Sequence, residues 1–204
     1  MQRLCKITIW GTLCLIMSIS LRAQSADALK GLTIGQKAPD FSAVNQHGQT
    51  VSLSDYLAKG PTAIIFYRGY WCPVCNRHLK TMQDSLFLLQ ERGINIVAIS
   101  PEMPERVERT IEKTAATFDV LHDKDLKIGL AYDVIFDLGK GDKFIYNTAL
   151  GAKLEEANSD GSIRLPIPAT YLIDKDGTIL YRQFDPNYKK RSTVAEILEA
   201  LNRE

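Results

Sequence analysis

The chain has 204 residues, with 25 Lys and Arg against 24 Asp and Glu and a formal net charge of +1. A balance this close to neutral gives no basic field for nucleic acid, and the length suits one domain with a proper core. At the amino terminus, Arg3 and Lys6 precede an apolar run from Ile7 to Ile19, and small residues follow at Ala23, Ser25 and Ala26. That is the layout of a secretory signal peptide. The run is shorter than the about 20 residues a membrane span needs. Residues 1–23 are therefore expected to be removed, leaving an exported chain with no membrane span, in a bacterial periplasm or cell envelope. Cleavage would take Arg3, Lys6 and Arg22 and no acids, so the net charge of +1 would become −2. Cys5 and Cys14 would leave as well. Cys72 and Cys75 lie too close in sequence to staple a fold, which excludes a disulfide-stapled scaffold.

In chain order, residues 24–33 read as a linker, and residues 34–204 as a single domain. Phe41 to Val44 and Thr50 to Leu53 flank the polar turn "NQHGQ" and suggest a hairpin. "TAIIFY" (Thr62–Tyr67) is a short β-branched and aromatic run of the buried-strand type. From Pro73, apolar Leu79, Met82, Leu86 and Leu89 recur at three and four residues, which predicts a helix ending near Gly93. "INIVAIS" (Ile94–Ser100) is a buried strand, and Pro104–Phe118 is a helix with proline at its start. A strand at Val120–His122, a helix around Leu126–Tyr132, strands at Ala169–Asp174 and Thr178–Phe184 and a helix at Ser192–Asn202 complete the series. Strands separated by helices predict an α/β sandwich with a mixed sheet. Gly139 to Leu165 fits neither period and reads as a loop-rich insertion.

The chemistry concentrates in "FYRGYWCPVCNRHL" (Phe66–Leu79). A Cys-x-x-Cys that follows a buried strand and opens a helix puts Cys72 at the helix N-terminus, where free N–H groups and the helix dipole favour a thiolate. Cys75 lies one turn on, close enough to form a disulfide with it. A zinc site would need further ligands, with His47, His78 and His122 as candidates, but none forms a second paired spacing. A pair of inert buried thiols is the other bland reading. A redox pair accounts best for the position, and it calls for no cofactor and no metal. Elsewhere the bland readings come first. His78 is expected on a helix surface, with proton shuttling as the alternative. Trp71 is expected to form a packing lid over the thiols, Tyr67 and Tyr70 are open to the same two readings, and the charges of Glu102–Lys113 are expected to form a solvated helix face.

Several segments resemble the alkyl hydroperoxide reductase and thiol-specific antioxidant family, which includes peroxiredoxins and exported thioredoxin-like reductases. They are "IGQKAPDFSAVNQHGQTVSLSDYL" (Ile34–Leu57), "FYRGYWCPVC", "IVAISPEMPER" and "LPIPATYLIDKDGTILYRQFDPNYKKR". The resemblance implies a thioredoxin fold, a central mixed sheet flanked by helices with an N-terminal β-hairpin, over residues 34–204. It also exposes departures. Peroxiredoxins resemble one another in a Pro-x-x-x-Thr-x-x-Cys loop and a distant Arg. Here Cys75 holds the peroxidatic place, but the Pro position is Arg68, the Thr position is Cys72 and the Arg position is Pro168. A second cysteine and an Ile-Pro before a strand are what a thioredoxin carries, there with a cis-proline facing the disulfide.

Two chemistries follow, with opposite roles for the sulfurs. In a peroxidase, Cys75 attacks a hydroperoxide, Cys72 condenses with the resulting sulfenic acid, and a thioredoxin-like dithiol restores both. In a disulfide reductase, Cys72 attacks a protein disulfide and Cys75 resolves it. The frame length, "ISPEMPER" and Arg68 as an anion stabiliser favour the peroxidase. Arg68, Trp71 and Pro168 are the expected substrate-contacting residues. A non-catalytic thioredoxin-fold binding module is the third class, and it has no need of two thiols at a helix N-terminus.

Overall fold

A computed structural model describes residues 25–203. The expected signal peptide lies outside the described residues. In chain order the elements are β1 (Ser42–Asn45), β2 (Thr50–Ser52), α1 (Leu53–Leu57), β3 (Thr62–Phe66), α2 (Pro73–Asp84), α3 (Leu86–Gln90), β4 (Asn95–Ser100), α4 (Pro104–Thr114) and β5 (Asp119–His122). There follow α5 (Lys127–Ala131), β6 (Ile135–Asp137), α6 (Lys140–Ala149), α7 (Leu154–Ala157), β7 (Arg164–Pro166), β8 (Ala169–Ile173), β9 (Ile179–Phe184) and α8 (Val194–Leu201).

The main sheet runs β2-β1-β5-β4-β3-β8-β9, with β3, β4 and β5 parallel and the outer pairings antiparallel. This is the thioredoxin fold with its mixed sheet. The strand period of two sends β3 side chains to opposite faces. Ala63, Ile65 and Tyr67 join a core layer with Leu79 and Met82 of α2, Leu89 of α3 and Ile197 of α8. Ile64 and Phe66 join the other layer with Leu53 and Tyr56 of α1 and Ile128 of α5. Strands covered on both faces need uninterrupted apolar residues, which is why "TAIIF" and "NIVAIS" read so clearly.

Some elements differ from expectation. The helix from Pro73 breaks at Ser85, whose backbone (φ −112°, ψ 13°) leaves helical geometry before α3 resumes. α1 was not expected, and its start is built by a capping box between Ser52 and Asp55. Residues 26–33, read as a linker, lie against the domain: Leu29 is buried, and the Lys30 and Gly31 N–H groups donate to Asp133.

The largest correction concerns Gly139–Leu165, which is structured. α6, α7 and β7 occupy it, and β7 pairs antiparallel with β6 so that both ends of the excursion are tied together. Asn147 Oδ1 accepts the Leu154 N–H, Lys143 pairs with Glu155 at 2.6 Å, and Ala152, Leu154 and Leu165 are completely buried. Tertiary packing here overrides four glycines and the lack of a clean period.

Candidate active site

β3 ends in the core, and the loop Tyr67–Trp71 carries the chain to the N-terminus of α2. Pro73 at the first helical position needs no N–H partner and has its φ preset. Cys72 is the N-cap, its sulfur accepting the Cys75 N–H at 3.3 Å. Cys72 and Cys75 form a disulfide with Cα atoms 5.3 Å apart. Both are buried, at 3% and 1% exposure. Among the described residues no group of three His, Cys, Asp or Glu is placed to hold a metal.

A cavity of about 380 Å³ opens beside the disulfide. Arg68, Trp71 and Cys72 line it together with Ile145 and Tyr146 of α6 and Tyr188. Trp71 stands edge-on to Tyr146, with ring centroids 5.3 Å apart, so the excursion packs against the Trp71 ring. Arg68 is buried and donates to the Tyr146 hydroxyl at 2.7 Å, with its guanidinium 4.6 Å from the centre of the Tyr188 ring. Its Nε has no hydrogen-bond partner, and burial lowers its pKa. Pro168 is buried but is not one of the residues lining the cavity, and the described peptide bonds, Ile167–Pro168 included, are trans. Of the expected site residues, Arg68, Trp71 and Cys72 line the cavity, whereas Pro168 and Cys75 do not.

The other sulfur faces a residue that the sequence reading did not single out. Arg191, in the loop before α8, places Nη2 3.7 Å from Cys75 Sγ. Burial and the neighbouring charge of Arg68 lower its pKa to about 10. His78 is not on the surface. It is buried, its Nε2 lies 3.1 Å from the Ser192 carbonyl, and burial followed by the Arg191 charge lowers its pKa to about 4. A neutral imidazole then donates to that carbonyl and ties α2 to the loop carrying Arg191.

Glu102 also departs from the expected solvated face. It is completely buried, and Oε2 accepts the Tyr70 N–H at 2.8 Å while Oε1 has no partner. Burial raises its pKa to about 8 despite Arg106, Arg109 and Lys113 nearby. Those three cations instead gather on Tyr70: Arg106 donates to its hydroxyl at 2.8 Å, and the Lys113 ammonium lies 4.8 Å from the ring centre. The carboxyl thus pins the cysteine loop from below. Tyr67 is fully buried against Thr110 and belongs to the core. Arg191, Tyr146 and Glu102 come from sequence-distant elements; Glu102 and Arg191 fall in segments that carry the family resemblance, "ISPEMPER" and "NYKKR", but neither was singled out as a site residue.

A profile of the AhpC/TSA family matches residues 34–182. The chain belongs to this family. Peroxiredoxin Bcp of Bacillus subtilis is 30% identical over 170 residues, covering 83% of this chain and 95% of the relative. Thiol-disulfide oxidoreductase ResA of Geobacillus thermodenitrificans is 27% identical over 149 residues, covering 72% of this chain and 67% of that protein. The crystal structure of peroxidoxin BcpB from Mycobacterium tuberculosis superimposes with a TM-score of 0.65 at 19% identity, covering 84% of this chain and 97% of that one, a likeness of fold.

Proposed function

We propose that the chain is a thiol peroxidase of the peroxiredoxin type, with Cys75 as the attacking sulfur and Cys72 as the resolving one. The observation that carries this reading is the Arg191 guanidinium against Cys75 Sγ, since a cation beside a buried sulfur favours its thiolate. The Cys75 thiolate attacks a hydroperoxide oxygen, the O–O bond breaks, and the leaving alkoxide takes a proton to become the alcohol. Cys75 is then a sulfenic acid. The Cys72 thiol displaces its hydroxyl, releasing water and closing the disulfide. An external dithiol of thioredoxin type gives two electrons to the disulfide, is oxidised to its own disulfide, and returns the enzyme to a thiol and a thiolate.

A disulfide reductase is the second reading, favoured by the cavity opening on Cys72 and by that sulfur's place at the helix N-cap. The likeness to ResA agrees with it. Single substitutions separate the two. For a peroxidase, Cys72→Ser consumes one equivalent of hydroperoxide and Cys75→Ser is silent. For a reductase, Cys75→Ser traps a mixed disulfide through Cys72. A Cys75 that meets peroxide only at the rate of free cysteine would sink the first reading.

A further inference from the structure

The oxidised site holds more positive charge than its surroundings balance. Arg68 is buried with its Nε unpaired, and its other contacts are the Tyr146 hydroxyl and the faces of Phe136, Tyr146 and Tyr188. Arg191 has the Lys190 carbonyl at 2.8 Å and the Cys75 sulfur. Burial and then the Arg68 charge lower the Arg191 pKa to about 10, so the two cations lie within electrostatic reach of each other. Around them, α2 presents His78, held neutral by burial, and the loop before α8 presents Tyr188. From α6 come Tyr146 and Asp142, the one carboxylate lining the cavity, which is exposed to solvent. Asp142 draws on Arg68 from its exposed position, whereas the titratable groups that act on Arg191 are Arg68 and Tyr188. A buried cation without an anion is costly.

We propose that Arg191, with the Arg68 charge nearby, is a standing counter-charge that gains its anion only in the reduced site, which makes Cys72–Cys75 an oxidising disulfide. This rests on the redox reading of the cysteine pair, and not on peroxide being the substrate. Reduction adds two electrons and one proton to the disulfide, giving a Cys72 thiol and a Cys75 thiolate. The new negative charge lands on the sulfur that Arg191 touches. The thiolate supplies the missing anion, so the reduced form gains an interaction that the disulfide lacks.

Arg191 is also held in place for this task. Its neighbour Ser192 is clamped between α2 and the sheet: the carbonyl meets His78, and the hydroxyl donates to Thr170 Oγ1 on β8 at 2.8 Å. Ser192 is buried while Arg191 reaches across to the sulfur. The arginine therefore keeps its position when the disulfide opens.

The test equilibrates the full-length protein with a glutathione redox buffer at pH 7. The disulfide fraction is read by mass on the peptide carrying both cysteines, so that Cys5 and Cys14 do not contribute. Arg191→Gln is expected to be at least tenfold harder to reduce, about 30 mV for this two-electron couple. Arg191→Lys keeps the charge and is expected to stay within about threefold of the parent. An Arg191→Gln equilibrium within twofold of the parent overturns the proposal, as does a Lys variant as impaired as the Gln one. A second measurement does not depend on the Gln variant folding. In Cys72→Ser, the pH dependence of Cys75 alkylation is expected to give a pKa well below the about 8.5 of an ordinary thiol, and a value at or above that overturns the assignment. A chain that shows these effects but consumes no peroxide overturns the peroxidase reading alone. One that consumes peroxide through Cys75 with neither effect overturns this proposal alone.

Discussion

Gly69 shows how closely the cysteine loop is fitted. Its φ of +154° is one that residues with a side chain rarely adopt, and a Cβ there would run into the Glu102 carboxylate and lie 2.6 Å from Trp71 Nε1. Glu102 in turn holds the next residue by the Tyr70 N–H. Gly69→Ala therefore has to strain the backbone and displace both the buried carboxyl and the Trp71 ring. The expected loss is about 2 kcal/mol or more. In a domain of this size that lowers Tm by about 5 °C, which thermal unfolding measures; an unchanged Tm would contradict the fit. At this scale the motif was legible because its spacing is local: strand, Arg68, Trp71, Cys72, Cys75. Arg191 was not, since nothing in "NYKKRST" marks one of its basic residues as turning inward.

Among the elements, α6 decides the character of the site. It sets Tyr146 edge-on to Trp71 and gives Arg68 its phenolic partner, forming one wall of the cavity at the helix N-terminus. Tyr146→Phe keeps the ring and removes the hydroxyl from a buried cation. The expected cost is about 1.5–3 kcal/mol, the range of a hydrogen bond to a charged group, measured by urea unfolding of the oxidised protein. A variant as stable as the parent would show that the contact carries no weight. The excursion was read as loop because Gly139, Gly141 and Gly151 interrupt any helical period. Its order comes from the β6–β7 pairing and the buried Leu154 and Leu165, contacts that no local window contains. His78 failed in the opposite direction. A polar residue on an otherwise amphipathic helix reads as exposed, and only the packing of the Ser192 loop against α2 buries it.

Over the whole molecule, buried titratable groups tilt stability against pH in opposing senses. Burial raises Glu102 above its ordinary 4.5 to about 8, so the folded protein binds that proton more tightly than the unfolded chain. Its contribution is complete below about 4.5 and is lost as pH rises through 8. Asp123, raised by burial to about 6, acts in the same direction over a lower window. His78 acts oppositely. With its pKa lowered from 6.5 to about 4, its contribution is present above 6.5 and is lost as pH falls through 4. A single pH profile mixes these slopes, so the comparison is with Glu102→Gln. The Tm of the parent minus that of the variant is expected to fall by about 3 °C or more between pH 5 and pH 8.5. A flat difference would mean that Glu102 is already ionised in the fold.

The sequence by itself determined the layered α/β architecture, since the central strands had to be unbroken apolar runs to be covered on both faces. It also determined the redox pair, because a Cys-x-x-Cys at the start of a helix needs only local geometry to bring its sulfurs together. Tertiary structure decided which charges face those sulfurs. Arg68 is four residues from Cys72, but Arg191 reaches Cys75 from 116 residues away, and Tyr146 and Glu102 close the site from two further elements. Such contacts arise from long-range packing of surfaces that each look polar and solvated in their own segment, and burial alone turns those side chains into the electrostatics of the site.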